Sequence, residues 1–103
     1  MSDLRFTREA TARVAGDLFQ RLDDLIQVEM GRLGEGTSVH HLRWMMQEVM
    51  GNASVWPIDK LNRWIGFAQG VMAMRGLLNV DEERNLTRPI FEEAYRQDGV
   101  KKT

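Results

Sequence analysis

The chain has 103 residues, 43% of them apolar and 28% charged, with 14 basic and 15 acidic side chains and a net charge of -1. Area scaling gives roughly 6,000 Å² for such a chain folded against about 17,000 Å² extended, enough burial for one domain without staples. The balanced charge excludes a wholly basic or acidic surface, and the absence of cysteine excludes disulfides, thiolate nucleophiles and sulfur-ligated zinc, which fits a reducing, cytoplasmic setting.

From Thr7 onward, Ala15, Leu18, Phe19, Leu22, Leu25, Ile26 and Leu33 recur at steps of three and four, with Asp17, Arg21, Asp23, Asp24 and Arg32 between them. This spacing predicts a helix over 7–33, with Thr7 as its N-cap and Gly31, Gly34 and Gly36 at its end. At 1.5 Å per residue such a helix is roughly 40 Å long, so it either bends at Gly16 or packs its free end on another chain. A second helix is expected over 38–50, capped by Ser38, striped by Val39, Leu42, Met46 and Val49, and stopped by Gly51 and Asn52. Ala53 to Pro57 then form a short connector.

A third helix over 57–75 has one apolar face from Ile58, Leu61, Ile65, Ala68 and Met72, and another from Trp64, Phe67, Val71, Met74 and Leu78. Two apolar faces predict the central element of the fold. Each of Gly66 and Gly70 costs about 1 kcal/mol of helix propensity relative to alanine, which points to a second backbone crossing closely there. After Gly76, Asn79 caps a short helix over 80–86 whose Asp81, Glu82 and Glu83 complement the helix dipole. Thr87 and Pro89 open a last helix over 88–96, burying Ile90, Phe91, Ala94 and part of Tyr95, and the chain is expected to fray from Gln97. No strand alternation or internal repeat occurs. The whole chain, 1–103, reads as a single all-α domain of four to five helices, with a long N-terminal helix and a central third one.

Chemistry is sparse. His40 and His41 are adjacent and therefore point about 100° apart on a helix, which does not build a metal site. Serine is confined to Ser2, Ser38 and Ser54 with no nucleophile elbow, and Ser38 is better used as a cap. The pairs Asp23/Asp24, Glu82/Glu83 and Glu92/Glu93 face different ways and make no two-carboxylate site. The glycines at 34 and 36 lack the lysine of a phosphate loop. No catalytic residue, cofactor or metal is expected. No run reaches the 18 or so apolar residues that cross a bilayer, and Met1 to Phe6 lack the apolar core of a signal peptide, so no membrane role is expected.

Binding is better supplied. Arginine makes up 11 of the 14 basic residues, and its planar fork suits interfaces. Trp44, Met45 and Met46 span about 200° of a helix and cannot all face one core, so at least one meets a partner. The expected contact residues are Trp44, Met45, Arg63, Trp64 and Arg75, since buried aromatics and arginines carry most interface energy. Packing is the competing use of the tryptophans and methionines.

The segment 59–72, DKLNRWIGFAQGVM, followed by Gly76-Leu-Leu-Asn-Val-Asp-Glu-Glu-Arg84 and Thr87-Arg-Pro89, resembles the C-terminal half of small helical accessory proteins carried by temperate phages and related mobile elements of enteric bacteria. The resemblance covers about residues 41–95. It implies a short, non-enzymatic protein that binds and redirects a host component such as a nuclease, a defence complex or a regulator, and it carries over no site residue. Two rivals stand beside that reading. One is a nucleic-acid-binding regulator using the second and third helices as a helix-turn-helix-like pair, with Lys60 and Arg63 reaching the backbone; the near-neutral charge and the apolar third helix count against it. The other is a homodimer whose first helices pair through Leu18, Leu22 and Leu25.

Overall fold

The computed structural model describes residues 4–28 and 39–99. Within them the protein is all-helical: α1 (Arg5–Val28), α2 (Val39–Asn52), α3 (Ile58–Met74) and α4 (Val80–Asp98), with no strand among the described residues. The principal extents are 47 × 28 × 18 Å. An 18 Å thickness is less than two helix diameters, so every helix keeps a face open to water.

The first helix is the central one. It packs against α2, α3 and α4, while α3 packs chiefly on α2 and α1. Its buried stripe of Val14, Ala15, Leu18 and Leu22 meets Leu42, Met46 and Val49 of α2 and Leu61, Ile65, Ala68 and Met72 of α3. Ile90 and Phe91 of α4 close on the same core. The expectation of a central α3 is therefore corrected. Its first apolar face is buried as predicted, but on the second Phe67 and Met74 stand 45% and 91% exposed. Nor does another backbone cross at Gly66 or Gly70, where an added Cβ would meet nothing within 4 Å. The close approach falls instead at Gly16, through which α1 runs unbroken and where a Cβ would lie 3.4 Å from the Met50 sulfur. Leu18 and Leu22 are fully buried inside one chain, which removes them as the seam of a dimer built on α1.

Helix ends differ from expectation for identifiable reasons. The first helix begins at Arg5, so Thr7 lies within it rather than capping it. Its cap comes from the other end of the chain: the Asp98 carboxylate accepts the Phe6 amide at 3.0 Å and the Thr7 amide and hydroxyl at 2.6 Å each. Asp98 is thus tied down rather than frayed, and Gly99, with φ 76°, closes α4 in the left-handed region. The expected end of α1, its glycines and the Ser38 cap lie outside the described residues. The second helix passes through Gly51 to Asn52, whose side-chain amide donates to the Glu48 carbonyl at 2.8 Å and whose own carbonyl accepts the Val55 and Trp56 amides.

Gly76 ends α3 as the sequence predicts. With φ 73° it donates to the Ala73 carbonyl, and Leu77 donates to that of Met72, the paired bonds of a Schellman motif. Asn79 caps α4, accepting the Glu82 amide at 3.0 Å. The two short helices expected over 80–86 and 88–96 are one continuous helix. Thr87 donates back to the Glu83 carbonyl at 3.0 Å instead of opening a new helix, and Pro89 sits in the interior. A proline there costs about 3 kcal/mol, which packing of α4 along α1 offsets.

Candidate functional site

Three tryptophans meet on one side of the α2/α3 pair. Trp44 and Trp64 have ring centroids 5.9 Å apart, and Trp56 meets Trp64 edge-on at 4.8 Å. His41, one turn before Trp44, extends the row at 5.6 Å. The Lys60 ammonium lies 3.9 Å from the Trp56 ring centroid and 5.6 Å from that of Trp64, a cation–π arrangement worth about 0.5–1 kcal/mol at an exposed site.

Local sequence builds this row. His41 and Trp44 are three apart on α2, and Lys60 and Trp64 four apart on α3, so each pair shares a helix face. Trp56 stands in the connector, where Pro57 forbids continuation of α2 and starts α3. The connector is held from α1: the Arg8 guanidinium donates to the Ala53 carbonyl at 3.0 Å and to the Trp56 carbonyl at 2.6 Å. Beneath the row, Met45 and Met46 are buried. Trp44 therefore is the residue of the Trp-Met-Met run left facing outward, 47% exposed.

Of the five expected contact residues, Trp44 and Trp64 are brought together, Arg63 is exposed on the neighbouring face of α3, and the other two fall elsewhere. Met45 is a core side chain at 7% exposure and offers no contact surface. Arg75 caps the opposite end of α3, twelve residues or about 18 Å beyond Arg63. The residues that sequence reasoning left out of this group are His41, Trp56, Lys60 and Phe67. For His41, Lys60 and Phe67 the available signal was their three- or four-residue spacing from Trp44, Trp64 or Arg63; Trp56 carried no such signal. Arg43, also near in sequence, is used structurally: it donates to Asp23 at 2.8 Å and lies over Phe19 at 4.5 Å, joining α1 to α2.

A second polar cluster joins α1, α3 and α4. Glu83 of α4, buried to 5% exposure, is paired with Arg21 at 2.7 Å and accepts from the Gln69 amide at 3.4 Å. Arg21 also pairs with Asp17. Burial works against the Arg21 charge, but the carboxylates of Glu83 and Asp17 outweigh it and hold the guanidinium above its ordinary pKa. This cluster ties helices together. Among the described residues no three His, Asp or Glu side chains converge as metal ligands, and no helix is long and apolar enough to cross a membrane.

Comparison with protein-family models, curated proteins and solved structures returned no match to the chain.

Proposed function

We propose that this chain is a non-enzymatic binding protein whose contact surface is the Trp44/Trp56/Trp64 row with Arg63 and Phe67 beside it. The reading is carried by one observation: Trp44 is 47% exposed, its ring tilted at 46° to that of Trp64 with centroids 5.9 Å apart, an indole open to water beside two that are partly buried on the core. Aromatic side chains combine a large apolar area with few rotatable bonds, which makes them the common anchors of protein interfaces. The exposed Arg63 beside the row fits a partner segment that presents apolar side chains flanked by a carboxylate. The resemblance to phage accessory proteins would make that partner a host complex such as a nuclease, a defence system or a regulator, modulated or inhibited by occupation of its surface. A nucleic-acid partner fits less well, because the Lys60 ammonium lies over the indoles and the exposed Asp59 stands in the same turn.

The test is affinity capture from an enteric bacterial lysate, with and without nuclease, comparing the wild type with Trp44→Ala and Arg63→Ala. A stoichiometric, nuclease-resistant protein lost from both variants, with helicity and melting unchanged, is the expected result. Partners that vanish on nuclease treatment, or a protein retained equally by both variants, would overturn the reading.

A further inference from the structure

Alpha-helices α3 and α4 both rest on α1 and leave between them a groove of about 300 Å³, lined by Gly70, Ala73, Leu78, Val80 and Arg84 among others. Of its polar lining residues, Glu83 is paired with Arg21, and Gln69 and Thr87 donate to Glu83, which leaves Arg84 beside an apolar floor, so the groove suits an apolar side chain flanked by a carboxylate. An added Cβ at Gly70 would meet nothing within 4 Å, which leaves one wall as bare helix backbone. Next in the chain to Ala73, at the end of α3, Met74 stands 91% exposed, the most exposed large apolar side chain among the described residues, and Val80 is 52% exposed. A protruding apolar side chain and an apolar groove thus occupy the same corner of the molecule.

We propose that this corner is a self-association surface, in which Met74 of each copy enters the α3/α4 groove of a second copy about a two-fold axis. A two-fold interface must be self-complementary, with every feature of the patch answered by another feature of that same patch. Knob and groove satisfy this condition in shape. The charges satisfy it too: Asp81 and Glu82 in the first turn of α4 are exposed, and the exposed Arg84 lines the groove. No ion pair engages Asp81, Glu82 or Arg84 among the described residues. Across a two-fold, the acidic first turn of one α4 faces Arg84 of the other copy. Both signs around a single knob and groove give one patch the self-complementarity that a two-fold contact between copies requires. A flexible thioether is well suited to fill such a groove. The surface is separate from the tryptophan row, which lies toward the start of α3, so one dimer would carry two rows.

Sedimentation equilibrium on the full chain, from about 10 µM to about 1 mM at low salt, tests the proposal. The expected result is a mass that climbs above 11.9 kDa toward twice that value, less steeply at high salt. Met74→Glu should stay monomeric, Arg84→Glu should raise the dissociation constant about tenfold or more, and Asp81→Arg combined with Arg84→Glu should recover much of that loss. Phe67→Glu, outside the groove, should associate as the wild type does. Gly70→Leu, which fills the groove from within, is the second blocking variant should Met74→Glu lose helicity. A wild type that remains at 11.9 kDa throughout, or association that survives both Met74→Glu and Gly70→Leu, would overturn the proposal.

Discussion

Asp98, in the last residue of α4, caps the first turn of α1 through Thr7, whose amide and hydroxyl both donate to its carboxylate at 2.6 Å. The chain's two helical ends are thereby locked together, 91 residues apart in sequence. Desolvation works against the Asp98 charge, but the Thr7 hydroxyl and the Phe6 and Thr7 amides prevail and hold its carboxyl below the ordinary range. A depressed folded-state pKa means that the contribution to stability is complete above the unfolded value of about 3.9 and is lost as pH falls through the lower folded value. Asp98→Asn should therefore melt below the wild type at pH 7, and the gap should close in strong acid. Melting curves from pH 7 to about pH 2 check this; a constant gap across that range would show that the charge is not what matters.

Arg8 supports the tryptophan row from behind, because it bonds the carbonyls of Ala53 and Trp56 on either side of the connector. Hydrogen bonds from a charged donor are worth about 1.5–3 kcal/mol, and their removal leaves two carbonyls to find water. Arg8→Met should lower the unfolding free energy by about 2 kcal/mol and shift the tryptophan emission to longer wavelength as Trp56 loosens. Arg13→Met, on an exposed position of the same helix, is the control that should change neither.

The apolar periodicity made four helices and most of their buried faces legible in the sequence. Leu18, Leu22, Leu42, Met46, Val49, Leu61 and Met72 recur at helical spacing and are all fully buried. What periodicity does not encode is which helix lies in the middle. Two apolar faces on α3 pointed to a central position, yet on one of them Phe67 and Met74 are exposed while Trp64, Val71 and Leu78 are only partly buried. The same blindness applies to Asp98, whose partners lie at the opposite end of the chain, and to α4, where local proline chemistry argued for a break that packing on α1 overrides. In the candidate site, that one of Trp44, Met45 and Met46 faces outward followed from the impossibility of burying three consecutive large side chains on one core, but not which one: Met45, also expected in the contact, is buried. Trp56 was missed because its approach to Trp64 depends on the path of the connector, which Arg8 fixes, whereas Lys60, four residues before Trp64 on α3, was legible by spacing.

Arg21 and Glu83 form the polar link between α1 and α4, and Glu83 is only 5% exposed. Removing one member of such a pair strands the other, which costs about 3–5 kcal/mol for fully buried pairs, whereas replacing both with apolar residues is often nearly neutral. Because Arg21 retains 31% side-chain exposure, Arg21→Met should cost somewhat less, about 2–3 kcal/mol. Arg21→Met with Glu83→Leu should return more than half of that loss. Denaturant titration of the two single variants and the double variant closes the cycle; purely additive losses would show that the pair does not act as a unit.

Gly66 on the open face of α3 should be a position where the fold gains from a substitution. Glycine in a helix interior is about 1 kcal/mol worse than alanine, and at Gly66 no atom stands within 4 Å of an added Cβ. Gly66→Ala should therefore raise the unfolding free energy by up to about 1 kcal/mol, with a matching rise in Tm. Gly16→Ala is the informative contrast, since its Cβ would lie 3.4 Å from the Met50 sulfur at the α1/α2 contact. There the propensity gain is offset by whatever shift Met50 must make, and the increase should be smaller than at Gly66. Thermal melts of the two variants side by side decide the matter: a loss of stability at Gly66 would mean that a neighbouring backbone does approach α3 there.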